Sequence, residues 1–143
     1  MAMSNWDGIS NIDVAVMVDI DGILCSPPVC GKRVLRPDAE EALRELSLVA
    51  HVVLWSMAGR YVGELVLEQF PELTPYVSFV AGKADLPCHL IGLAYCIDDG
   101  AVDGCVKRGN QILIERFNGG ENSGVLIEAA SIIADDIRRN AES

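Results

Sequence analysis

The sequence predicts an α/β fold: a three-layer, Rossmann-like sandwich built on a mostly parallel sheet of about five strands. Short apolar runs of strand length alternate along the chain with amphipathic stretches of helix length. The apolar runs are hydrophobic at consecutive positions, which is typical of strands covered on both faces. The 143 residues suit one domain of this kind, spanning 1–143.

The first half of the chain predicts two strands, each followed by a helix. The strands are Val14–Val18 and His51–Trp55. The first helix opens around Pro37, because the fixed φ of proline suits a first helical turn. The second helix runs from about Arg60 to Phe70 and ends at Pro71. The side chains expected to face the core are Ala42, Leu43, Leu46 and Val49 in the first helix, and Val62, Leu65, Val66, Gln69 and Phe70 in the second.

The second half of the chain predicts three more strands and a last helix. The strands are Val77–Val80, Leu93–Ile97 and Gln111–Glu115. Ser123 is a suitable N-cap for a helix that runs to about Arg139. The core stripe of that helix is Leu126, Ile127, Ala130, Ile133, Ala134 and Ile137. We expect residues 25–36 to form a loop or small hairpin over the end of the first strand, and residues 118–122 to form a second loop.

Composition and charge exclude some classes of function. Half of the residues are hydrophobic and few are aromatic, so the core is expected to be aliphatic. A net charge of −10 disfavours broad electrostatic binding to nucleic acid or to an anionic membrane surface. A protein this acidic would need a metal ion and a few well-placed cations to handle phosphate.

The cysteines indicate a reducing compartment rather than a disulfide framework. They number five, and Cys96 lies within an apolar run that is typical of a buried strand. The spacing of Cys25 and Cys30 is not that of a usual zinc knuckle, so a structural zinc site is not favoured. No signal peptide is visible and no apolar stretch is long enough to span a bilayer, so we expect a cytoplasmic protein.

The run Asp19-Ile20-Asp21-Gly22 is the most informative feature of the chain. It follows the first predicted strand, so its two carboxylates lie at the carboxyl end of a buried strand, where sites form in open α/β sheets. Two acids so close together resist joint ionisation unless a cation or a proton intervenes. Taken alone, the run is also compatible with a strand end followed by an ordinary turn at Asp21-Gly22.

The ends of the other strands carry side chains that complete a chemical set. The second strand is followed by Ser56 and Met57, the third by Lys83, and the fourth by Asp98 and Asp99. Individually these residues are compatible with a helix start, a solvated lysine and a turn. Because the carboxyl ends of parallel strands lie along one edge of the sheet, we expect them to converge.

Phosphoryl transfer is the chemistry that such a set can perform. A carboxylate can attack phosphorus and form an acyl phosphate, which divides one difficult step into two easier ones. Mg2+ prefers oxygen ligands and suits several carboxylates together with a phosphate. A hydroxyl, a helix N-terminus and a lysine can hold the remaining phosphoryl oxygens.

In this order of motifs, from Val14 to about Gly100, the chain resembles the haloacid dehalogenase (HAD) superfamily of phosphatases and phosphotransferases. The resemblance implies Asp19 as nucleophile and Asp21 as general acid and then base. It implies Mg2+ held by Asp19, by the backbone carbonyl of Asp21 and by Asp98, with Asp99 assisting. It also implies that Ser56, with its neighbour Met57, and Lys83 hold the phosphoryl group. Ile23 stands where the family often has Thr or Val, which is a mild departure.

The spacing of the motifs leaves no room for a cap domain. About 35 residues separate Asp21 from Ser56, and the interval from Ser56 to Lys83 is shorter still. The chain therefore resembles a small capless phosphatase, and weakly those of the RNA polymerase C-terminal-domain type. An open site suits a phosphoprotein or another large phosphate ester as substrate. Alternatively, a second copy of the chain could cover the site. Lys32, Arg33 and Arg60 are the cations expected to meet an anionic substrate.

Two other functions stay open at this point. A HAD-like binding module without catalysis would not need Asp19, Asp21 and Lys83 together. A dehalogenase on the same scaffold would not need a metal, whereas Asp21 and the Asp98-Asp99 pair favour one. The fold alone does not distinguish a phosphatase from a binding module or a dehalogenase.

Overall fold

The computed structural model describes residues 11–85, 87–100, 106–120 and 124–142. Its strands are β1 (Ile12–Asp19), β2 (His51–Ser56), β3 (Phe79–Gly82), β4 (Ile91–Asp98) and β5 (Gln111–Leu113), and its α-helices are α1 (Ala39–Ser47), α2 (Arg60–Gln69) and α3 (Val125–Glu142). Three short 3-10 helices occupy Pro71–Tyr76, Cys88–Leu90 and Arg108–Asn110.

The strands form one sheet in the order β3-β2-β1-β4-β5, and every pair is parallel. The predicted α/β, Rossmann-like fold class is confirmed. The chain winds outward from β1 through β2 to β3 and then crosses to β4, on the other side of β1. In open α/β sheets, ligands bind at the carboxyl ends of the strands where the winding changes direction. Here that point lies between β1 and β4.

All five strands differ from their predicted bounds: β1, β2 and β4 extend beyond them, whereas β3 is displaced and β5 is shorter. The prediction that β3 spans Val77–Val80 is two residues early, because Val77 still donates to Thr74 and so closes the preceding 3-10 helix. The fifth strand ends at Leu113 rather than Glu115. The Glu115 carbonyl instead accepts a hydrogen bond from Arg36, which draws the chain away from the sheet.

All three α-helices pack in one cluster with a single face of the sheet. The sheet residues of this cluster are Val16, Val18, Val52, Leu54, Val80, Tyr95 and Ile97. The prediction that Leu65 and Gln69 face the core is wrong, because both residues are exposed. The packed face of α2 is centred on Val62, Gly63 and Val66; a Cβ at Gly63 would lie 2.8 Å from Val80. This close approach of α2 to β3 turns Leu65 toward solvent.

The last helix is anchored at its start by a residue far away in sequence. Asp38 Oδ2 accepts a hydrogen bond of 2.9 Å from the backbone N–H of Ile127, in the first turn of α3. Asp38 thus satisfies one of the N–H groups that a helix start leaves unpaired. The predicted cap, Ser123, lies outside the described residues. The predicted stripe of α3 is buried, except for the half-buried Ile127.

The opposite face of the sheet buries a second cluster. Its members are Ile12, Ala15, Met17, Val53, Trp55, Phe79, Ala81, Ala94, Cys96 and Val106. Within the described ranges, no helix residue belongs to it. No disulfide joins Cys25, Cys30, Cys88 and Cys96, the four cysteines within the described residues, and Cys105 lies outside them. No helix in the described part of the chain is long and apolar enough to cross a membrane.

Candidate active site

The carboxyl ends of β1 and β4 bring three carboxylates together. Val18 is in register with Ile97, so Asp19 and Asp98 leave adjacent strands at the same edge of the sheet. One carboxylate oxygen from each of Asp19, Asp98 and Asp99 lies within 4.8 Å of the others. Asp19 is 9% exposed, so its charge is largely removed from water. The topological switch point therefore holds the acids that the sequence predicts there.

Lys83 is the cation at the centre of this cluster. Its Nζ lies 2.6 Å from Asp98 Oδ2 and 3.4 Å from Asp19 Oδ1. It also lies 5.2 Å from the centre of the Trp55 ring, which adds a cation–π contact. The backbone N–H of Lys83 donates to the carbonyl of Ser56, so the end of β3 is tied to the end of β2. Lys83 is therefore a largely buried partner of two acids rather than a solvated lysine.

The pKa values in this cluster follow from burial and from the neighbouring charges. Burial and the Asp98 charge raise the pKa of Asp19 to about 7, although Lys83 acts in the opposite direction. Burial alone would lower the pKa of Lys83, but its hydrogen bond to Asp98 and its attraction to Asp19 raise that pKa overall. One lysine thus does not compensate the acids fully, and the cluster can accept further positive charge.

Asp98 is held in place more firmly than its neighbour. Its Oδ1 accepts hydrogen bonds from the backbone N–H groups of Asp99 and Gly100, while its Oδ2 accepts one from Lys83. Asp99 is partly exposed, and Arg116 Nη1 lies 2.9 Å from its Oδ2. Burial opposes ionisation of Asp99, but hydrogen bonding within the acid pair and to Arg116 brings its pKa below the ordinary value. Asp98 therefore faces the cluster from a fixed position, and Asp99 faces it from the rim.

The predicted phosphate-binding segment lies beside the acids. Ser56 is the last residue of β2 and pairs with Gly82 of β3, one position beyond the pair formed by Asp19 and Trp55. Its Oγ is nearly buried and accepts a hydrogen bond of 3.2 Å from the N–H of Ala58. The Met57 side chain is 83% exposed, so a phosphate contact at this position would come from its backbone N–H.

Asp21 does not join the three-acid cluster but pairs with Arg33. Arg33 Nε lies 2.7 Å from Asp21 Oδ1, and Nη2 lies 3.4 Å from Oδ2. The side chain of Arg33 is only 8% exposed, while that of Asp21 is 32% exposed. Arg33, expected from the sequence to meet the substrate, is therefore occupied with an acid of the site.

Arg33 projects from a hairpin that covers the end of β1. Residues 25–36 form this hairpin, as predicted, with antiparallel bridges between Val29 and Lys32 and between Cys25 and Leu35. The other two predicted cations lie further out. Lys32 is exposed, and Arg60 lies 3.4 Å from Glu64 in the next turn of α2. Their expected contact with substrate stays a prediction.

Sequence reasoning missed two arginines that build the site. Arg36 is buried and donates to the backbone carbonyls of Gly22, Ile23 and Glu115, which joins the turn after β1 to the segment after β5. Arg116 lies over Gly22, whose φ is +93°; a Cβ there would lie 2.8 Å from Arg116 Cγ. No strand end or motif marks either arginine. For Arg116 the sequence offers one general signal: with 11 lysines and arginines against 21 acids, an arginine is expected to lie beside an acid.

Comparison with protein-family models and with curated proteins finds no match for this chain. The class of protein that its fold and site define is an α/β protein with a parallel sheet and an acidic cluster at its switch point.

Proposed function

We propose that this protein is a HAD-type phosphatase, a Mg2+-dependent phosphomonoester hydrolase that works through an aspartyl-phosphate intermediate. The observation that carries the proposal is the contact of Lys83 with both Asp19 and Asp98 at the carboxyl ends of adjacent parallel strands. This arrangement sets a nucleophile, further carboxylates and a cation for phosphoryl oxygens side by side.

The donor set fits Mg2+. Asp19, Asp98 and Asp99 supply carboxylate oxygens close enough to share one small cation, and the carbonyl of Asp21 belongs to the same turn. The raised pKa of Asp19 indicates that positive charge is in deficit at this point. When bound, Mg2+ would offset the acids and stabilise negative charge on the phosphoryl group.

The chain's own residues can perform the two half-reactions. A carboxylate oxygen of Asp19 attacks phosphorus, the bond from phosphorus to the ester oxygen breaks, and Asp21 gives that oxygen a proton. Asp21 then takes a proton from water, the water oxygen attacks phosphorus, and Asp19 is released together with inorganic phosphate. Lys83 stabilises the charge on the phosphoryl oxygens, while Ser56 and the backbone N–H of Met57 hold the group in place.

The catalytic proposal accounts for the site better than a non-catalytic HAD-like binding module does. Burial of Asp19 beside Asp98 opposes ionisation, and a fold that only binds a partner gains nothing from this cost. The alternative of partner binding without turnover is distinguished by the experiment below.

The surroundings of the acid cluster bear on the class of substrate. The intervals between the motifs are filled by α1, β2, α2 and β3, so the sheet edge carries the site without a large insertion there. Met57 and Tyr61 leave apolar surface exposed beside it. We propose that the substrate is a phosphoprotein or another large phosphate ester. If the substrate is small, a second copy of the chain would cover the site. We further propose that the protein works in the cytoplasm, without nucleic-acid or membrane partners.

Hydrolysis of p-nitrophenyl phosphate, phosphopeptides, nucleotides and sugar phosphates should be measured with Mg2+ and with excess EDTA. We expect turnover with Mg2+ alone, and an acid-stable phosphoprotein adduct after rapid quenching. Asp19→Asn should abolish both, while Asp13→Asn, at the other end of β1, should leave both intact. Full activity in EDTA or near-normal kcat in Asp19→Asn would reject the mechanism. Binding of a phosphorylated ligand with no turnover in any condition would favour the binding module.

A further inference from the structure

Arg33 holds the residue to which the proposed mechanism gives both proton transfers. Its Nε and Nη2 donate to the two different oxygens of the Asp21 carboxylate, at 2.7 and 3.4 Å. A two-point contact between a planar guanidinium and a planar carboxylate fixes orientation as well as position. Within the described ranges, no other side chain makes a hydrogen bond or ion pair with Asp21. The orientation of this partly exposed acid therefore depends on Arg33.

The hairpin that carries Arg33 is itself fixed at several points. Val29 and Lys32 exchange backbone hydrogen bonds near its tip. Ser26 and Val34 are joined by a backbone bond and by the Ser26 hydroxyl, both 2.8 Å long. The carbonyl of Arg33 accepts a hydrogen bond of 3.2 Å from Gln69 at the end of α2. Arg33 thus reaches Asp21 from a backbone that is anchored on two sides.

Burial separates Arg33 from an ordinary substrate-binding cation. Its side chain is 8% exposed, and its guanidinium already satisfies a carboxylate, so little of it is available to an incoming anion. Proton transfer requires the donor within hydrogen-bonding reach of the reacting oxygen, and a displacement of about 1 Å can cost roughly a hundredfold in rate. A residue that fixes the Asp21 carboxylate would therefore act on the rate of the chemical step.

We propose that Arg33 is a positioning residue, which holds the Asp21 carboxylate in the orientation required for its proton transfers. This inference rests on the proposed phosphatase function. It gives the hairpin of residues 25–36 a purpose beyond covering the sheet edge: the hairpin completes the proton-transfer apparatus from outside the strand ends.

The test compares Arg33→Ala and Arg33→Lys with the wild-type protein in steady-state hydrolysis of an aryl phosphate with Mg2+. Arg33→Ala should lower kcat roughly 30- to 100-fold with KM changed by less than about threefold. Arg33→Lys should recover part of that loss, because lysine keeps the charge but not the two-point contact. Arg138→Ala is the matched control: it removes an arginine from an exposed ion pair with Asp135 on α3, and kcat should not change.

A double-mutant cycle separates positioning from general support of the fold. The substrate should have a good leaving group, such as 2,4-dinitrophenyl phosphate, so that Asp21→Asn retains a measurable rate. If Arg33 acts through Asp21, adding Arg33→Ala to Asp21→Asn should lower kcat by less than about threefold. An effect through the fold would instead lower it by the full factor again and shift thermal unfolding.

Three results would overturn the inference while leaving the phosphatase proposal intact. These are a normal kcat in Arg33→Ala, a loss that appears only in KM, and a full loss in the Asp21→Asn background. Absence of hydrolysis by the wild-type protein with Mg2+ would instead reject the phosphatase function, and with it any role of Arg33 in proton transfer.

Discussion

The substitution Asp19→Asn should stabilise the metal-free protein at alkaline pH although it abolishes turnover. Asparagine has nearly the shape of the protonated aspartic acid and carries no charge at any pH. In the folded protein, burial and the Asp98 charge raise the pKa of Asp19 to about 7, from 3.8 in an unperturbed side chain. Between these two values the folded state holds a proton that the unfolded chain releases. Stability therefore falls as pH rises from about 4 to about 7, and the full cost is present above that window.

The size of the effect follows from the two pKa values. A carboxyl with pKa 3.8 unfolded and about 7 folded destabilises the fold by about 4 kcal/mol at pH 8 and about 2 kcal/mol at pH 5. The advantage of Asp19→Asn should therefore grow by about 2 to 3 kcal/mol between these pH values. For a chain of this length, each kcal/mol of stability raises Tm by roughly 3 °C. The increase in the advantage of Asp19→Asn therefore corresponds to roughly 7 °C in Tm.

The assay is thermal or urea unfolding of both proteins in EDTA at several pH values between 5 and 8. Asp13→Asn is the control, because it removes one negative charge from the exposed end of the same strand without relieving burial. We expect its difference from the wild type to stay nearly constant with pH. A stability gap between wild type and Asp19→Asn that is equally independent of pH would refute the reasoning about the acid cluster.

Further predictions concern the metal, the lysine, the turn after β1 and the buried arginine. Mg2+ should raise the Tm of the wild type more than that of Asp19→Asn in differential scanning fluorimetry, and EDTA should reverse the rise. Lys83→Ala should lower kcat about a hundredfold, or about 3 kcal/mol, because the phosphoryl oxygens lose a cation; an unchanged rate would remove Lys83 from the site. Gly22→Ala should cost about 2 kcal/mol in urea unfolding, because φ is +93° and Arg116 occupies the space. Arg36→Met should cost on the order of 3 kcal/mol, since buried carbonyls lose their donor, and a neutral result would show that water replaces the guanidinium.

The sequence was sufficient for those parts of the molecule that depend on local pattern. Consecutive apolar residues located all five strands, although β3 lies two residues later than predicted. Asp19, Ser56, Lys83 and Asp98 came together because the carboxyl ends of parallel strands share one edge. Leu65 was misplaced because helical periodicity alone cannot tell which turn of α2 approaches β3 most closely.

The arginines illustrate what a pattern along the chain cannot show. The contacts of three arginines join residues that are 12 or more positions apart in the sequence. Arg33 contacts Asp21, Arg36 contacts Glu115, and Arg116 lies against Gly22 in the turn after β1. Their partners are backbone carbonyls and acids whose positions exist only in the folded sheet. Charge complementarity in such cases is a property of tertiary structure, so it becomes visible only when the distances are known.

The same geometry concentrates uncompensated negative charge at this edge of the sheet. The switch point places Asp19 beside Asp98, and burial then penalises their joint ionisation. Lys83 offsets part of that penalty, and Arg33 and Arg116 each hold one outer acid at the rim. What is left uncompensated is the charge at Asp19 itself, which is the atom group that the proposed reaction requires as nucleophile. A cation that binds there would stabilise the fold and activate the site through the same interaction. The Mg2+ concentration at which Tm begins to rise should therefore match the concentration at which kcat reaches half of its maximum.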